Sequence, residues 1–412
     1  MSENTEYTPN DREVVSTVIE IWKTNPGSEN LGNAKLHAFV KQDHPNWSLS
    51  ANRLKNLLKT FGLQTNVTPF QYASEITSHA TPDLQFPTGV KLIVTKARGK
   101  ALYTSKAFKA GEEIWSEPPL VLVSPLDHVV LMRKCLACAY CSRPFQARST
   151  AGGPGGVPRG GSECNVCPAR FCNAKCKKSD TIHTALWHNS AHSKTIKYAQ
   201  WQLYEQYCLE NQWMAAYAYG IILVSIIRDP SKQLQSQIEA MARVRQDVRQ
   251  KAVQNSTSMG LDGLDGEHYE QLWKRGFELL KEAVKGGYDL TYEEYLYGLG
   301  MYNINNLDGN VYLTQSHLNH SCDPNVDVQI TGRTTGVKVI AKRDLRAGEE
   351  LFTTYVNPSD DLDKRRYDLR VNWGFICNCA RCKYEEKEKA NPTPETRPRR
   401  KSVRFESVVD VI

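Results

Sequence analysis

The cysteines carry the most legible chemistry in this chain. Cys138 and Cys141 are separated by two residues, as are Cys164 and Cys167, while Cys172 and Cys176 are separated by three. Spacing this short lets two thiolates reach one tetrahedral ion, the geometry of structural zinc. The surrounding segments are rich in Lys, Asn and Ser, so an apolar core of free thiols accounts for them poorly. A fourth ligand pair must come from histidine. His188 and His192 are four apart and share a face if the segment is helical; His183 with His188 is the competing pair. Eight such ligands suit two zincs, each fully coordinated by protein and therefore structural and not catalytic. Cys135 is left over and reads as an ordinary core thiol. Further on, Cys377, Cys379 and Cys382 offer three ligands, one short of a tetrahedron. Cys322 completes the set only if the intervening chain folds back on itself.

A second informative stretch is Asn319-His320-Ser321-Cys322-Asp323-Pro324-Asn325, polar and turn-rich, with Pro324 stiffening its exit. Taken alone it reads as a surface turn capped by Asn and Asp. Downstream, Arg346 to Leu351 reads as a turn through Gly348 that enters a strand ending at Thr354-Tyr355.

The elements that must position these residues fall into blocks. Residues 1–80 read as a small helical unit. Val14 to Trp22 has helical apolar spacing behind the capping residues Asn10-Asp11. A second helix is expected from Asn33 to Val40. A third is capped by Ser48 or Ser50 and carries Leu54, Leu57 and Leu58 on one face. Such a unit is open to two readings, a helix-turn-helix or winged-helix reader of nucleic acid, or a docking appendage. Phe86 to Val123 is β-rich, with turns at Arg98-Gly99-Lys100 and Ala110-Gly111. The Gly- and Pro-rich loop from Gln146 to Ser162 lacks the Gly-Lys-Ser/Thr ending of a phosphate cradle and reads as a flexible insertion. Tyr198 to Gly287 is helical, with a polar interruption from Gln254 to Glu267. The tail from Asn391 is Pro- and Arg-rich and expected to be disordered.

Composition sets outer bounds. With 412 residues, 40% hydrophobic and 24% charged, the chain suits two or three soluble globular domains. A net charge of +7 permits an acidic partner without demanding one. No secretory signal is visible, and Met214 to Ile227 is too short to span a bilayer, so it reads as a buried helix. No membrane partner is expected. Twelve cysteines without an export signal point to metal and not disulfides.

In their order along the chain these residues resemble a SET domain, and the paired ligands resemble a MYND zinc finger. The resemblance rests on Arg98-Gly99-Lys100-Ala101-Leu102, Asn319-His320-Ser321-Cys322, Gly348-Glu349-Glu350 with Tyr355, and Phe375 with the closing cysteines. It implies an α+β fold of short sheets with a pseudoknot. The SET domain would span 86–376, interrupted by a MYND finger at 135–195 and a helical insert at 196–290. A post-SET zinc segment would follow at 377–390, then a basic tail at 391–412. MYND ligation is interleaved, which implies one zinc on Cys138, Cys141, Cys172 and Cys176 and another on Cys164, Cys167 and two histidines. That family usually ends in His-x3-Cys, whereas a histidine stands last here. The third zinc would take Cys322, Cys377, Cys379 and Cys382.

The resemblance further implies S-adenosylmethionine as cofactor. Its contacts would be Arg98, Lys100, Ala101, Asn319, His320, Tyr355, Phe375 and either Asn303 or Asn305. Tyr355 would be the catalytic hydroxyl. Trp373, where related enzymes often carry Tyr, would wall the substrate channel with Tyr355, keeping the aromatic face and losing a hydroxyl. The implied activity is protein-lysine N-methylation. The long helical C-terminal domain of animal relatives is missing, and the layout is similar to the fungal SET-MYND enzymes that act on histone H4. That implies the H4 tail as substrate, a chromatin or peptide partner at the MYND finger, and residence in nucleus and cytoplasm. The competing readings are a non-histone methyltransferase and an inactive adaptor that binds peptides. A third is a DNA-binding protein using the N-terminal helices and the Arg397 to Lys401 run; such a run more often serves as a solvated tail or nuclear import signal.

Overall fold

A computed structural model describes residues 7–25, 28, 31–61, 63, 70–78, 85–95, 99–145, 161–189, 195–254 and 265–390. Arg98, His192, the tail from Asn391 and nearly all of the Gln146 to Ser162 loop lie outside the described residues.

The Asn10 carboxamide accepts from Glu13 N at 3.0 Å while the Glu13 carboxylate accepts from Asn10 N at 2.7 Å. This reciprocal cap satisfies two otherwise orphaned donors and starts α1 (Asp11–Thr24). Two further helices follow, α2 (Asn33–Asp43) and α3 (Ala51–Thr60). Of the two candidate caps, Ser50 holds the start of α3 by accepting from Arg53 N. Helix α2 runs past Val40, because Val40 is itself buried and the chain turns only once that contact is made. Val14, Val18, Leu36, Val40, Leu54 and Leu58 meet in a core of the unit's own.

Next come β1 (Val90–Thr95) and β2 (Gly99–Thr104), antiparallel to each other, then β3 (Glu113–Glu117) and α4 (Leu126–Arg133). Among the described residues the cysteine-rich segment holds only β4 (Ser162–Glu163), β5 (Arg170–Phe171), α5 (Ala174–Ser179) and α6 (His183–Trp187). A helical layer follows: α7 (Tyr198–Glu210), α8 (Met214–Arg228), α9 (Gln233–Glu239), α10 (Gln246–Gln254), α11 (Asp265–Val284) and α12 (Tyr292–Asn305). Its interior is the largest core, with Trp201, Tyr204, Ile222, Leu280 and Tyr295 buried together. The apolar run from Met214 is the buried helix α8, and among the described residues no helix is long and apolar enough to cross a membrane.

The chain then returns through short strands: β6 (Asn306–Leu307), β7 (Asn310–Val311), β8 (Asn319–His320), β9 (Val326–Gly332), β10 (Gly336–Ala341) and β11 (Phe352–Thr353). It ends in α13 (Leu362–Trp373) and α14 (Ala380–Ala390). Strands β3, β10 and β9 form one antiparallel sheet, while β11 pairs in parallel with β8. The strand entering Tyr355 thus stops at Thr353. Leu351 N donates to Leu102 O and Ser321 N to Thr353 O, both at 2.8 Å, so β2, β8 and β11 meet although they are far apart in sequence. Leu102, Ile114, Leu318, Val339 and Leu351 fill the space beneath them.

One close approach fixes how the segment 70–78 joins this body. Gly374 closes α13 at φ +80°, a left-handed conformation that glycine adopts without strain. A Cβ there would stand 2.6 Å from the buried Tyr72 ring. Tyr72 N and Ala73 N both donate to Gly374 O, at 3.0 and 3.1 Å. Gly374→Ala is therefore expected to cost about 2 kcal/mol or more, from the left-handed backbone plus the clash. Calorimetry should show a midpoint lowered by several degrees, and an unchanged midpoint would mean that this contact is slack.

Candidate active site and metal centres

A cavity of about 1010 Å³ opens where β2, β8, the end of α12 and the turn after α13 converge. Its walls are built by side chains that complete hydrogen bonding where two-residue strands cannot. Asn319 Nδ2 donates to Lys100 O at 3.0 Å and to Glu350 Oε1 at 3.1 Å. Asn325 donates to Glu350 O at 2.8 Å and accepts from Phe352 N at 2.7 Å. A buried backbone group left unpaired is costly, so both asparagines lock β2, β8 and β11 into one frame.

His320 is oriented by its surroundings. Tyr355 N sits 3.0 Å from His320 Nδ1, and an amide can only donate, so Nδ1 is the acceptor and Nε2 carries the proton. Nε2 then faces Cys322 Sγ at 3.3 Å. Hydrogen bonding, from Cys377 above all, holds the Cys322 thiol below the usual thiol range, so the imidazole N–H faces a sulfur that favours its thiolate form.

Tyr355 donates its phenol proton to Leu318 O at 2.6 Å. Burial pushes its pKa above the usual phenol range, so the oxygen is neutral and its lone pairs remain available. Its ring lies 5.2 Å from that of Trp373 and 5.3 Å from that of His320, and Phe375 stands 6.0 Å from His320. Trp373 is held in place by donating Nε1–H to Ile304 O at 3.2 Å. These ring faces suit a cation that has shed its water.

Lys100, Asn305, Asn319, His320, Tyr355, Trp373 and Phe375 all line this cavity. Of the two candidate asparagines, Asn305 faces it, donating to Ala242 O and Met301 O at 2.7 Å. Asn303 does not; its carboxamide is taken by Gln246 at 2.9 Å. The Ala101 side chain is fully buried and is not among the residues lining the cavity. Lys100 is buried, which lowers its pKa to about 8, and its ammonium donates to Ala240 O. His317 also lines the wall, and burial, aided by Lys100, pushes its pKa down to about 3, leaving a neutral imidazole. Nothing in the sequence marked His317, whose burial depends on partners more than two hundred residues away, such as Phe86 and Lys100.

Three groups of four donors lie with their atoms within 4.8 Å of one another. They are Cys138, Cys141, Cys172 and Cys176; Cys164, Cys167, His183 and His188; and Cys322, Cys377, Cys379 and Cys382. A tetrahedral zinc with Zn–S near 2.3 Å needs donors roughly 3.8 Å apart, so each group fits that ion. The first two groups interleave along the chain. In the second, the described residues bring together the competing pair, His183 and His188. Helix α6 ends at Trp187, and His188 is extended at ψ 123°; His192 lies outside the described residues. His188 Nε2 reaches Cys164 Sγ at 3.2 Å, and His183 Nε2 reaches Cys167 Sγ at 3.3 Å. Asp180 lies 3.6 Å behind His183 Nδ1, the orienting position a carboxylate takes behind a ligating imidazole. Cys135 joins none of these groups; it is half-buried in a turn at φ +59°, not a core thiol.

A family model of the SET domain matches residues 99–356. The chain belongs to the SET-domain family. Its relatives include the histone-lysine N-methyltransferase SET5 of Yarrowia lipolytica, 51% identical over 92% of this chain and 83% of that one. The protein of the same name from Candida albicans is 47% identical over 92% of this chain and 82% of its own length. That of Saccharomyces cerevisiae is 28% identical over 92% and 76%. Among solved structures, the SET domain of LSMT bound to lysine and AdoHcy matches at TM-score 0.30 and 13% identity, over 71% of this chain and 54% of that chain. That likeness is too slight to carry geometry across.

The SET-domain match takes in Asn319, His320 and Tyr355 but stops short of Trp373, Phe375 and the closing cysteines. Those residues reach the cavity because Cys377, Cys379 and Cys382 converge on Cys322, two residues past His320. Native mass spectrometry of the purified chain is expected to find three zinc ions, and Cys382→Ser two. A wild-type count below three would remove a centre from this description.

Proposed function

We propose that this chain is an S-adenosylmethionine-dependent protein-lysine N-methyltransferase acting on histones, with the H4 tail as its target. The observation that carries the reading is the Tyr355 hydroxyl, fixed on Leu318 O inside an aromatic-lined cavity beside Asn319 and His320. When bound, S-adenosylmethionine supplies an electrophilic methyl group. Lys100, Asn305, Asn319, His320 and Phe375 would hold it.

The residues of this chain do the rest by positioning. The Tyr355 proton is committed to Leu318 O, so its oxygen accepts from an incoming lysine amine and aims the nitrogen lone pair. A phenol held neutral by burial also avoids placing an anion that would keep the lysine protonated. The aromatic walls disfavour a hydrated ammonium and favour the desolvated positive charge of the methylated product. Trp373 contributes a ring and no hydroxyl, leaving Tyr355 as the phenol beside the amine.

Histone as substrate is supported by the names of the relatives, and the H4 tail by the chain's layout. A histone substrate entails work in the nucleus. In this reading the catalytic domain spans 86–376, interrupted by a MYND-type finger with two interleaved zincs and by the helical insert. A post-SET zinc closes it.

The reading is tested by transfer of radiolabelled methyl from S-adenosylmethionine to core histones. Label is expected on H4, falling at least ~10²-fold in Tyr355→Phe, the scale for losing one positioned hydrogen-bonding group. Cofactor binding without histone label would sink the substrate assignment. Absence of cofactor binding would sink the enzyme reading and favour the peptide-binding adaptor.

A further inference from the structure

We infer that residues 73–78, which precede the catalytic domain in sequence, form part of the cofactor site as a strap whose Ser74, Ile76 and Ser78 close the outer wall of the cavity. The inference rests on the cavity being the S-adenosylmethionine site. It concerns residues that the SET-domain match, beginning at residue 99, does not reach.

The strap is anchored at both ends of the opening. On one side, Tyr72 N and Ala73 N donate to Gly374 O, Tyr72 OH donates to Val371 O at 3.1 Å, and Ile376 N donates to the Gln71 carboxamide at 3.3 Å. On the other side, Thr77 and Arg243 exchange two backbone hydrogen bonds, at 2.9 and 2.8 Å. Ser78 Oγ lies 3.5 Å from Ala240 O, the carbonyl that also takes the Lys100 ammonium. The strap therefore bridges the turn carrying Phe375 to the helical insert, and it meets the β2 wall at a single carbonyl.

Its backbone is engaged in anchoring, and Ser74, Ile76 and Ser78 are left facing the cavity. Ile76 is half-buried against the cluster of Tyr72 and Val244, to which Ile304 on the cavity wall also belongs. Ile76 thereby extends the apolar surface of Ile304 outward over the opening. Ser74 and Ser78 are exposed, and the Ser78 hydroxyl donates to Ala240 O. A ligand filling the cavity would meet this segment as well as the catalytic domain, since both line it. The wall depends on a piece of chain that joins the N-terminal helices to the catalytic domain.

Two variants of the full chain test this. Ile76→Ala removes apolar wall, and Ser74→Glu puts a charge into the cavity from an exposed position where folding is not at stake. Calorimetric titration with S-adenosylmethionine is expected to show Kd raised about tenfold or more in each. KM for the cofactor should rise in parallel while KM for histone H4 stays put; the thermal midpoint should stay put in Ser74→Glu and fall in Ile76→Ala, whose side chain packs on the Tyr72 cluster. Hydrogen exchange of residues 70–78 in the wild type is expected to slow on adding S-adenosylhomocysteine. Unchanged Kd in both variants, with strap exchange indifferent to S-adenosylhomocysteine, would overturn the inference. Failure of the wild type to bind S-adenosylmethionine would instead overturn the functional reading on which it rests.

Discussion

The Asn319 carboxamide is the point on which the active-site frame depends. Strands β8 and β11 are two residues long, too short for a ladder to hold them in register. One side chain therefore ties the β2 backbone at Lys100 to the Glu350 carboxylate, and Asn325 repeats the device one turn later. Tyr103 also donates to Glu350, at 3.2 Å. The frame is a polar network inside a fold whose sheets are too small to stabilise it alone. In such a network each member is costly to leave unpaired, and this makes its geometry narrow. That narrowness passes to the reactive centre. Leu318 supplies the carbonyl that orients Tyr355, and the Tyr355 amide in turn sets the proton on His320.

The fold divides its sources of stability accordingly. The helical layer holds a large apolar core and stands on burial. The cysteine-rich segment has two-residue strands and short helices, with a core of little more than Cys138, Ala139, Cys141, Ala169 and Phe171. A module so small has little else to fix its shape than the two four-donor groups it carries, each of which suits a tetrahedral ion. The same holds at the end of the chain, where Cys322 and the last three cysteines bring Trp373 and Phe375 to the cavity. The zinc-type donor set there does an active-site task, because the aromatic wall reaches Tyr355 only when α13 is held back against the motif.

Much of the local structure was legible from residue types. The cap at Asn10, a serine cap at Ser48 or Ser50, the buried helix from Met214 and the short-spaced thiol pairs all involve partners within a turn or two. Propensity and spacing decide such contacts before the chain folds. The motif around Asn319 was legible by its likeness to a family, although its own residues read equally well as a surface turn. Only the structure revealed why those residues matter, since both partners of Asn319 are distant in sequence.

The sequence by itself determined the ligand types, their pairing in short spacings and the identity of the phenol. Tertiary structure brought His183 and His188 beside Cys164 and Cys167, a meeting that spacing alone left open. It turned Asn305 toward the cavity and gave the Asn303 carboxamide to Gln246. It buried Ala101, drew His317 into the cavity wall and laid residues 73–78 across the opening. Each of these depends on surfaces that meet only after segments tens to hundreds of residues apart bury one another, and no local pattern encodes that meeting.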